Sequence, residues 1–352
     1  MSDTPINLGA MLLQGILARA ESDRAKSWED RGRLRGGSVG LVLEDGTVIG
    51  SGCPRAAYAR FLGAEPPRDP VEWAYSHLLL DAGNASEDLW AADLKLAVPE
   101  HIGVLQEEDY PIEWRVDDPR GGDPVRATGR EDIILADRTT GKPVLLGELK
   151  QVSSLATAVS VLLDRKPKLE HAIQSANYAL RELVPVQLWY SCRVKLPFAS
   201  WRWLDPYLYG GPYEDPRIEP FLERTGSTTR SKIKQLKPFL IGYQIGWDDD
   251  GFATVQALLP DGPLGEEWTT PINRERIDRF YESVLLQEKL GRLHPKRPTA
   301  TDANGDAHGR FDPCKWCAWK PVCDEHEKDF QSWRDEVMSH TAQPKAKDKE
   351  TA

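Results

Sequence analysis

The chain has 352 residues, of which 40% are hydrophobic, and carries a formal net charge of −10. The length predicts about two domains, or one large domain with insertions. No apolar run approaches the roughly 20 residues that span a bilayer, so the sequence argues against a membrane partner. The acidic balance does not favour nucleic-acid binding in general, although a local basic patch can still bind DNA.

Residues 1–49 are predicted to form an N-terminal helix and a hairpin. Apolar residues recur at helical spacing over residues 7–20. This stretch lacks the basic region of a signal peptide, so we expect a packed amphipathic helix and a cytoplasmic protein. Residues 38–52 are typical of two short strands around the turn from Glu44 to Gly46.

Residues 50–199 alternate helices and strands and form the predicted core domain. Cys53 and Pro54 begin a short helix that runs to Leu62. A second helix is predicted from Asp69–Pro70, with a break at Gly83–Asn84 and a further helical piece over residues 86–96. The remaining predicted elements are strands at residues 112–116, 132–136, 144–150 and 186–194, and a helix over residues 168–183.

Residues 200–270 are rich in Pro, Gly and aromatics and are an insertion of unknown role, with a hairpin at residues 239–259. The insertion contains a basic group, which either contacts DNA or belongs to a solvated loop: Arg224, Arg230, Lys232, Lys234 and Lys237. Residues 271–335 are predicted to hold a helix at 273–290 and a cysteine segment. Residues 336–352 are predicted to be a disordered tail.

Two carboxylates and a lysine fall at one end of a predicted hairpin. A turn centred near Thr140 places Asp132 opposite Glu148. Because strand side chains alternate, Glu148 and Lys150 share one face while Leu149 points into the core. Paired carboxylates can hold Mg²⁺ or Mn²⁺, which polarises a phosphate and makes a bound water more acidic. The alternative interpretation is a salt bridge between surface strand ends.

Other polar residues accompany this hairpin. Gln174 and Tyr178 are spaced to share one helix face, which Lys168 and His171 continue upstream. Glu87 follows the predicted helix break by a few residues and is a candidate for a further metal ligand. His77 is the competing candidate for that position.

The cysteine segment has the spacing of a metal or cluster site. Cys314, Cys317 and Cys323 form the pattern C-x2-C-x5-C, which places several thiolates within reach of one soft centre. Cys53 is the better fourth ligand because it lies at a helix start, where the dipole favours thiolate. Cys192, within an apolar strand, is predicted to be an inert core residue. Spacing alone does not separate iron–sulfur from Zn²⁺.

The order of these motifs resembles the RecB-like branch of the PD-(D/E)XK nuclease superfamily: an acidic or His position on a helix, then G-x-x-D, E-x-K and Q-x-x-x-Y. The resemblance implies an α/β, restriction-endonuclease-like core in which a central mixed sheet is flanked by helices. It implies metal ligands at Glu87, Asp132, Glu148 and the carbonyl of Leu149. The catalytic group that it implies comprises Asp132, Glu148, Lys150, Gln174 and Tyr178. Many members with this cysteine pattern have His at the first position, where this chain has Glu87.

A Cys-Pro-Arg start before these motifs and C-x2-C-x5-C after them is similar to the CRISPR-associated iron–sulfur exonucleases ("Cas four") and the AddB nuclease domain. That resemblance implies a [4Fe–4S] cluster held by Cys53, Cys314, Cys317 and Cys323, which staples the C-terminal segment to the core. A structural Zn²⁺ is the alternative.

The resemblance implies a Mg²⁺- or Mn²⁺-dependent exonuclease on single-stranded DNA ends, in recombination, repair or CRISPR-type processing. A recombination or CRISPR-adaptation protein would be a partner. Four aromatics of the insertion either stack on bases, if they face the strand, or belong to the core: Trp201, Trp203, Tyr207 and Tyr209. The alternatives are a site-specific endonuclease, with base recognition in residues 200–270, and a non-catalytic zinc-stapled DNA-binding protein.

Overall fold

The structure is a computed structural model. It describes residues 31–50, 52–67, 70–106, 109–152, 161, 166–192, 239–259, 262–294, 298–299, 314 and 317–341. The predicted N-terminal helix, the basic group at 224–237 and the aromatics at 201–209 lie outside these residues. The chain divides into two compact units. The first unit comprises residues 1–89, 113–129 and 275–352, and the second comprises residues 90–112 and 130–274.

The described strands, in chain order, are β1 (Leu34–Arg35), β2 (Leu41–Val42), β3 (Val48–Ile49), β4 (Ile102–Leu105), β5 (Ile112–Val116), β6 (Val125–Gly129), β7 (Ile133–Asp137), β8 (Pro143–Val152), β9 (Val186–Cys192), β10 (Phe239–Trp247), β11 (Phe252–Leu259), β12 (Gly262–Pro263), β13 (Trp268–Asn273) and β14 (Pro298–Thr299). The helices are α1 (Pro54–Phe61), α2 (Pro70–Ala97), α3 (Leu169–Glu182), α4 (Arg274–Leu290), α5 (Lys320–Glu325) and α6 (Phe330–Ser339).

The second unit is built on an eight-stranded sheet with the order β12-β11-β10-β9-β8-β7-β4, in which β13 also pairs with β11. Strands β8 and β9 run parallel. The pairs β4–β7, β7–β8 and β9–β10 are antiparallel. The sheet is therefore mixed, as an α/β fold of this kind requires.

Helices cover this sheet on two sides. Helix α3 packs on β8, β9 and β10, and its buried face includes Ala172, Ile173 and Ala176. On the other side, Ala91 and Leu94 at the end of α2 pack with apolar residues of β4, β7 and β8. The expectation of a mixed α/β fold with a helix-flanked sheet is confirmed at this level.

The first unit contains two small sheets, with the orders β1-β6-β5 and β14-β3-β2. Helices α1 and α6 meet through stacked aromatic rings: Tyr58 lies 6.1 Å from both Phe330 and Trp333, measured between ring centroids. Both Tyr58 and Trp333 are fully buried. These rings form an apolar core between α1 and α6.

Two predicted boundaries differ from the structure. Helix α2 is continuous over 28 residues, so the predicted break at Gly83–Asn84 is wrong. A glycine inside a helix costs only about 1 kcal/mol relative to alanine, which a long helix absorbs. Helix α6 also runs through residues 336–339, assigned by the sequence to a disordered tail, because Val337 is buried there. Among the described helices, none is long and apolar enough to cross a membrane.

A buried arginine ties the start of α1 to the segment that follows α4. Arg55 is 2% exposed, and its Nε and Nη2 atoms donate to the carbonyl of His294 at 2.9 and 2.7 Å. Beside it, Gln287 donates to the carbonyl of Pro54 at 2.9 Å and accepts from the N–H of His294 at 3.0 Å. This network fixes the backbone next to Cys53.

We expect Arg55→Met to lower the free energy of unfolding by about 2–3 kcal/mol, because a buried carbonyl loses charge-assisted hydrogen bonds. Arg126→Met is the matched control, since Arg126 forms an exposed ion pair with Glu113; such pairs contribute about 0–1 kcal/mol. Urea denaturation followed by tryptophan fluorescence measures both. Equal losses in the two variants would contradict the structural role of Arg55.

Candidate functional site

The hairpin of β7 and β8 places the predicted acidic residues opposite each other. Ile133 pairs with Gly147, and the same register one step further sets Asp132 against Glu148. The turn between the strands is stabilised by Asp137, whose Oδ1 accepts from the N–H groups of Thr139 and Thr140 at 2.9 and 2.7 Å. The predicted hairpin and its turn are confirmed.

Alternation along β8 separates the core residue from the polar ones. The side chain of Leu149 packs in the apolar cluster with Ala91 and Ile133, as predicted. The side chains of Glu148 and Lys150 therefore point to the other face, which α3 covers. The N–H of Leu149 donates to Oδ2 of Asp132 at 2.6 Å, and this bond fixes Asp132 against β8.

Glu148 is the centre of the polar contacts on this face. It is 1% exposed, and its Oε1 accepts from Nε2 of Gln174 at 3.0 Å and forms an ion pair with Lys150. Its other oxygen, Oε2, accepts no hydrogen bond from the described residues. A surface salt bridge does not describe this pair, because the carboxylate is buried.

Lys150 keeps its positive charge in this setting. Burial alone would favour the neutral amine, but the negative charges of Glu148 and Asp132 outweigh it and raise the pKa of Lys150 above its ordinary value. The side chain remains 26% exposed. It therefore presents an ammonium both to the buried carboxylates and to solvent.

Tyr178 lies one turn beyond Gln174 on α3. Its side chain is 1% exposed, and its hydroxyl accepts from the N–H of Arg130 at 3.4 Å. The contact joins α3 to the residues that immediately precede Asp132. Tyr178 is thus placed to position this segment.

Glu131 is a buried acid that the sequence interpretation overlooked. It is fully buried, and its carboxyl group shares a hydrogen bond with that of Glu148. Burial raises its pKa well above the ordinary value, and the charges of Glu148 and Asp132 raise it further. Its position directly before Asp132 was visible in the sequence, but an acid at the edge of a strand is usually exposed.

His171 and Tyr190 also join the site. Nδ1 of His171 lies 2.9 Å from the hydroxyl of Tyr190, which accepts from the N–H of Lys168 at 3.0 Å. Burial lowers the pKa of His171 to about 3, with the charges of Lys150 and Lys168 adding to the shift. His171 is therefore neutral at physiological pH. Tyr190 pairs with Lys150 in the β8–β9 register.

The remaining predicted ligand belongs to the other unit. Glu87 is half-buried within α2, in the first unit, whereas Asp132 and Glu148 belong to the second. Its role as a metal ligand stays a prediction. His77 lies on the same helix, outside the described side chains. Over the described part of the chain, no three His, Cys, Asp or Glu side chains are already grouped at metal-ligand spacing.

Four cysteines of the first unit are not joined in disulfide bonds: Cys53, Cys314, Cys317 and Cys323. Burial raises the pKa of Cys53 to about 12, and negative charge on Cys317 and Cys323 adds to the increase. The N–H of Cys317 donates to the carbonyl of Cys314 at 3.2 Å. Cys192 ends β9, in the second unit.

No protein-family model matches this sequence. A search of curated proteins finds no significant match either. A solved structure entitled "Crystal structure of SSO0001" aligns with 91% of this chain and 98% of its own, at 13% identity and a TM-score of 0.39. Similarity at this level supports no inference about fold or function.

Proposed function

We propose that the protein is a metal-dependent DNA nuclease that hydrolyses phosphodiester bonds, acting as an exonuclease on single-stranded ends. The observation that carries the proposal is the convergence on buried Glu148 of an ammonium from Lys150 and an amide from Gln174. Asp132 lies opposite Glu148 and is fixed to β8 by the N–H of Leu149. A protein that only bound DNA would have no use for this buried arrangement.

The donor set fits a hard divalent cation such as Mg²⁺ or Mn²⁺. Glu148 is a buried carboxylate beside Asp132 and the buried acid Glu131, and such a group needs compensating positive charge. Asp132, Glu148 and the carbonyl of Leu149 would hold the cation. When bound, such a cation polarises the scissile phosphate and acidifies a water.

The protein's own residues have separate roles in this proposal. The ammonium of Lys150 donates to a phosphate oxygen and offsets the negative charge that develops in the transition state. Gln174 holds the carboxylate of Glu148 in one orientation, and Tyr178 fixes the segment before Asp132. His171, being neutral, adds no positive charge to compete with the cation.

The four cysteine thiols of the first unit are of the chemical type that binds a soft metal centre. A thiol buried as deeply as Cys53 ionises only when positive charge compensates it, as a bound metal would do. We propose a structural [4Fe–4S] cluster held by Cys53, Cys314, Cys317 and Cys323, with Zn²⁺ as the alternative metal. A cluster there would link the start of α1 to the C-terminal segment.

The decisive assay compares linear and covalently closed circular DNA, each single-stranded or double-stranded. We expect linear single strands to be shortened progressively in Mg²⁺ or Mn²⁺, and this cleavage to vanish when the metal is chelated. Closed circles should be spared, because an exonuclease requires a free end. Gel electrophoresis of end-labelled and internally labelled strands measures both expectations.

The two alternative functions, a site-specific endonuclease and a non-catalytic binding protein, predict different outcomes in the same assay. Rapid nicking of closed circles at the rate seen on linear DNA would favour the site-specific endonuclease. Retention of DNA without cleavage under every metal condition would favour the non-catalytic binding protein.

A further inference from the structure

Tyr190 holds the start of α3 against the sheet beside Lys150. Its side chain is fully buried, and its hydroxyl accepts from the N–H of Lys168 at 3.0 Å and lies 2.9 Å from Nδ1 of His171. Lys150 and Tyr190 are register partners on β8 and β9, adjacent strands about 5 Å apart, so their side chains point to the same face. Lys150, Lys168 and His171 therefore lie around one buried tyrosine.

Aromatic packing keeps Tyr190 in one position. The ring centroids of His171 and Tyr190 are 5.7 Å apart, and Tyr243 packs edge-on against Tyr190 at 5.9 Å. Tyr243 is itself fully buried, and its hydroxyl donates to the carbonyl of Val161. Because both tyrosines are buried and packed together, the hydroxyl of Tyr190 is a fixed reference for the orientation of His171.

Two groups at the start of α3 can serve a negatively charged ligand. Lys168 is 35% exposed, and its ion pair with Glu170 at 3.9 Å is of the exposed kind that contributes little. His171 uses Nδ1 for Tyr190, and its other ring nitrogen, Nε2, forms no hydrogen bond with the described residues. When Nδ1 accepts the hydroxyl proton of Tyr190, Nε2 carries the N–H of the neutral ring and is a donor.

From this arrangement we infer that Lys168 and His171 bind a second phosphate of the DNA strand, next to the phosphate that Lys150 contacts. The inference rests on the proposed nuclease function, because that function assigns Lys150 to the phosphate that is cleaved. Every nucleotide adds one phosphate to the strand, so a cation and a donor beside Lys150 fit the neighbouring one. Such contacts position a strand without reading its sequence. Tyr190 acts through His171 and is a positioning residue.

The salt dependence of DNA binding distinguishes the two side chains. The full-length protein is titrated into a fluorescein-labelled single strand in the presence of chelator, at several salt concentrations. Lys168→Met should lower the affinity about tenfold and reduce the slope of log affinity against log salt by about 0.7, since one contact that releases a counterion is lost. His171→Leu should lower the affinity by a similar factor but leave the slope unchanged, because a neutral imidazole releases no counterion.

Cleavage kinetics in Mg²⁺ separate substrate binding from chemistry. A phosphate contact away from the scissile bond acts equally on the ground state and the transition state. Lys168→Met and His171→Leu should therefore raise KM about tenfold and keep kcat near the wild-type value. Lys142→Met, an exposed lysine in the turn between β7 and β8, is the matched control and should change neither KM nor the salt slope.

Tyr190→Phe tests the positioning role, because it removes the hydroxyl and keeps the ring. It should weaken strand binding about as much as His171→Leu does. The double variant should bind no more weakly than either single variant, since both changes disable one contact. His171→Gln can place an amide N–H near the position of Nε2 and should recover part of the lost affinity. Losses that add in the double variant would show that Tyr190 does not act through His171.

The outcomes separate this inference from the proposed function. If Lys168→Met and His171→Leu melt at the wild-type temperature and keep the wild-type affinity, salt slope and KM, the inference is overturned, while wild-type cleavage would still support the nuclease. A loss of kcat without a change in KM would also overturn it, and so would an equal loss of affinity in Lys142→Met. If the wild type neither binds the strand nor cleaves DNA, both fail.

Discussion

Replacing Lys150 with methionine should slow DNA cleavage at least about a hundredfold at saturating Mg²⁺. Methionine is similar in length but cannot donate to a phosphate oxygen or offset transition-state charge, and losing one such donor costs about 10²–10³ in rate. The pKa of Lys150 is raised above its ordinary value, so the wild-type side chain is charged throughout the range in which the enzyme would work. Single-turnover cleavage of a labelled linear strand gives the rate.

Glu148 is the acidic partner of Lys150 in the buried ion pair. Glu148→Gln should lose DNA cleavage to about the same degree as Lys150→Met. The substitution keeps the shape of the side chain and its contact with Gln174, but it removes the charge that a divalent cation requires. Circular dichroism and melting temperature should show that both variants are folded. Removing one member of a buried ion pair can cost about 3–5 kcal/mol, so the melting control is essential.

Lys142→Met supplies the matched control, because Lys142 is an exposed lysine in the turn of the same hairpin. It should cleave at the wild-type rate. Full activity in folded Lys150→Met or Glu148→Gln would reject the assignment of the site. A comparable loss in Lys142→Met would mean that the hairpin as a whole, and not the buried pair, supports activity.

Local patterns in the sequence predict much of this site. Alternation along residues 144–150 correctly separates Leu149 in the core from Glu148 and Lys150 on the opposite face. Helical spacing correctly predicts that Gln174 and Tyr178 point to the same side of α3, toward the hairpin. These features depend on periods of two and about four residues, which a single sequence displays.

Features that depend on topology were not predictable in the same way. Tyr190 reaches His171 because β9 runs parallel to β8 and pairs in a particular register, and neither property is visible in the sequence. The short strand β4 was also missed, since its pairing with β7 brings together residues about 30 positions apart. The burial of Glu131 was not predictable either, because it is a property of the tertiary structure that no local pattern displays.

The last prediction concerns the four cysteines of the first unit. Protein purified without oxygen should be brown, with broad visible absorbance and roughly four iron and four sulfide per chain if a [4Fe–4S] cluster is present. Cys53→Ala should abolish the colour and lower the free energy of unfolding by several kcal/mol. The reason is that 260 residues separate Cys53 from Cys314, and closing such a loop is worth on the order of 5 kcal/mol on an idealised estimate.

Cys192→Ala is the matched control, because Cys192 ends β9 in the other unit. It should keep the iron content and the colour of the wild type, whereas alanine at Cys314, Cys317 or Cys323 should reproduce the loss seen at Cys53. Metal analysis and absorbance spectra measure these differences. One zinc per chain with no iron would replace the cluster by a Cys₄ zinc site and leave the ligands unchanged. The proposed ligand set would be overturned if Cys192→Ala lost the metal while Cys53→Ala kept it. Cys53 would then be a buried thiol with no metal to stabilise its ionised form.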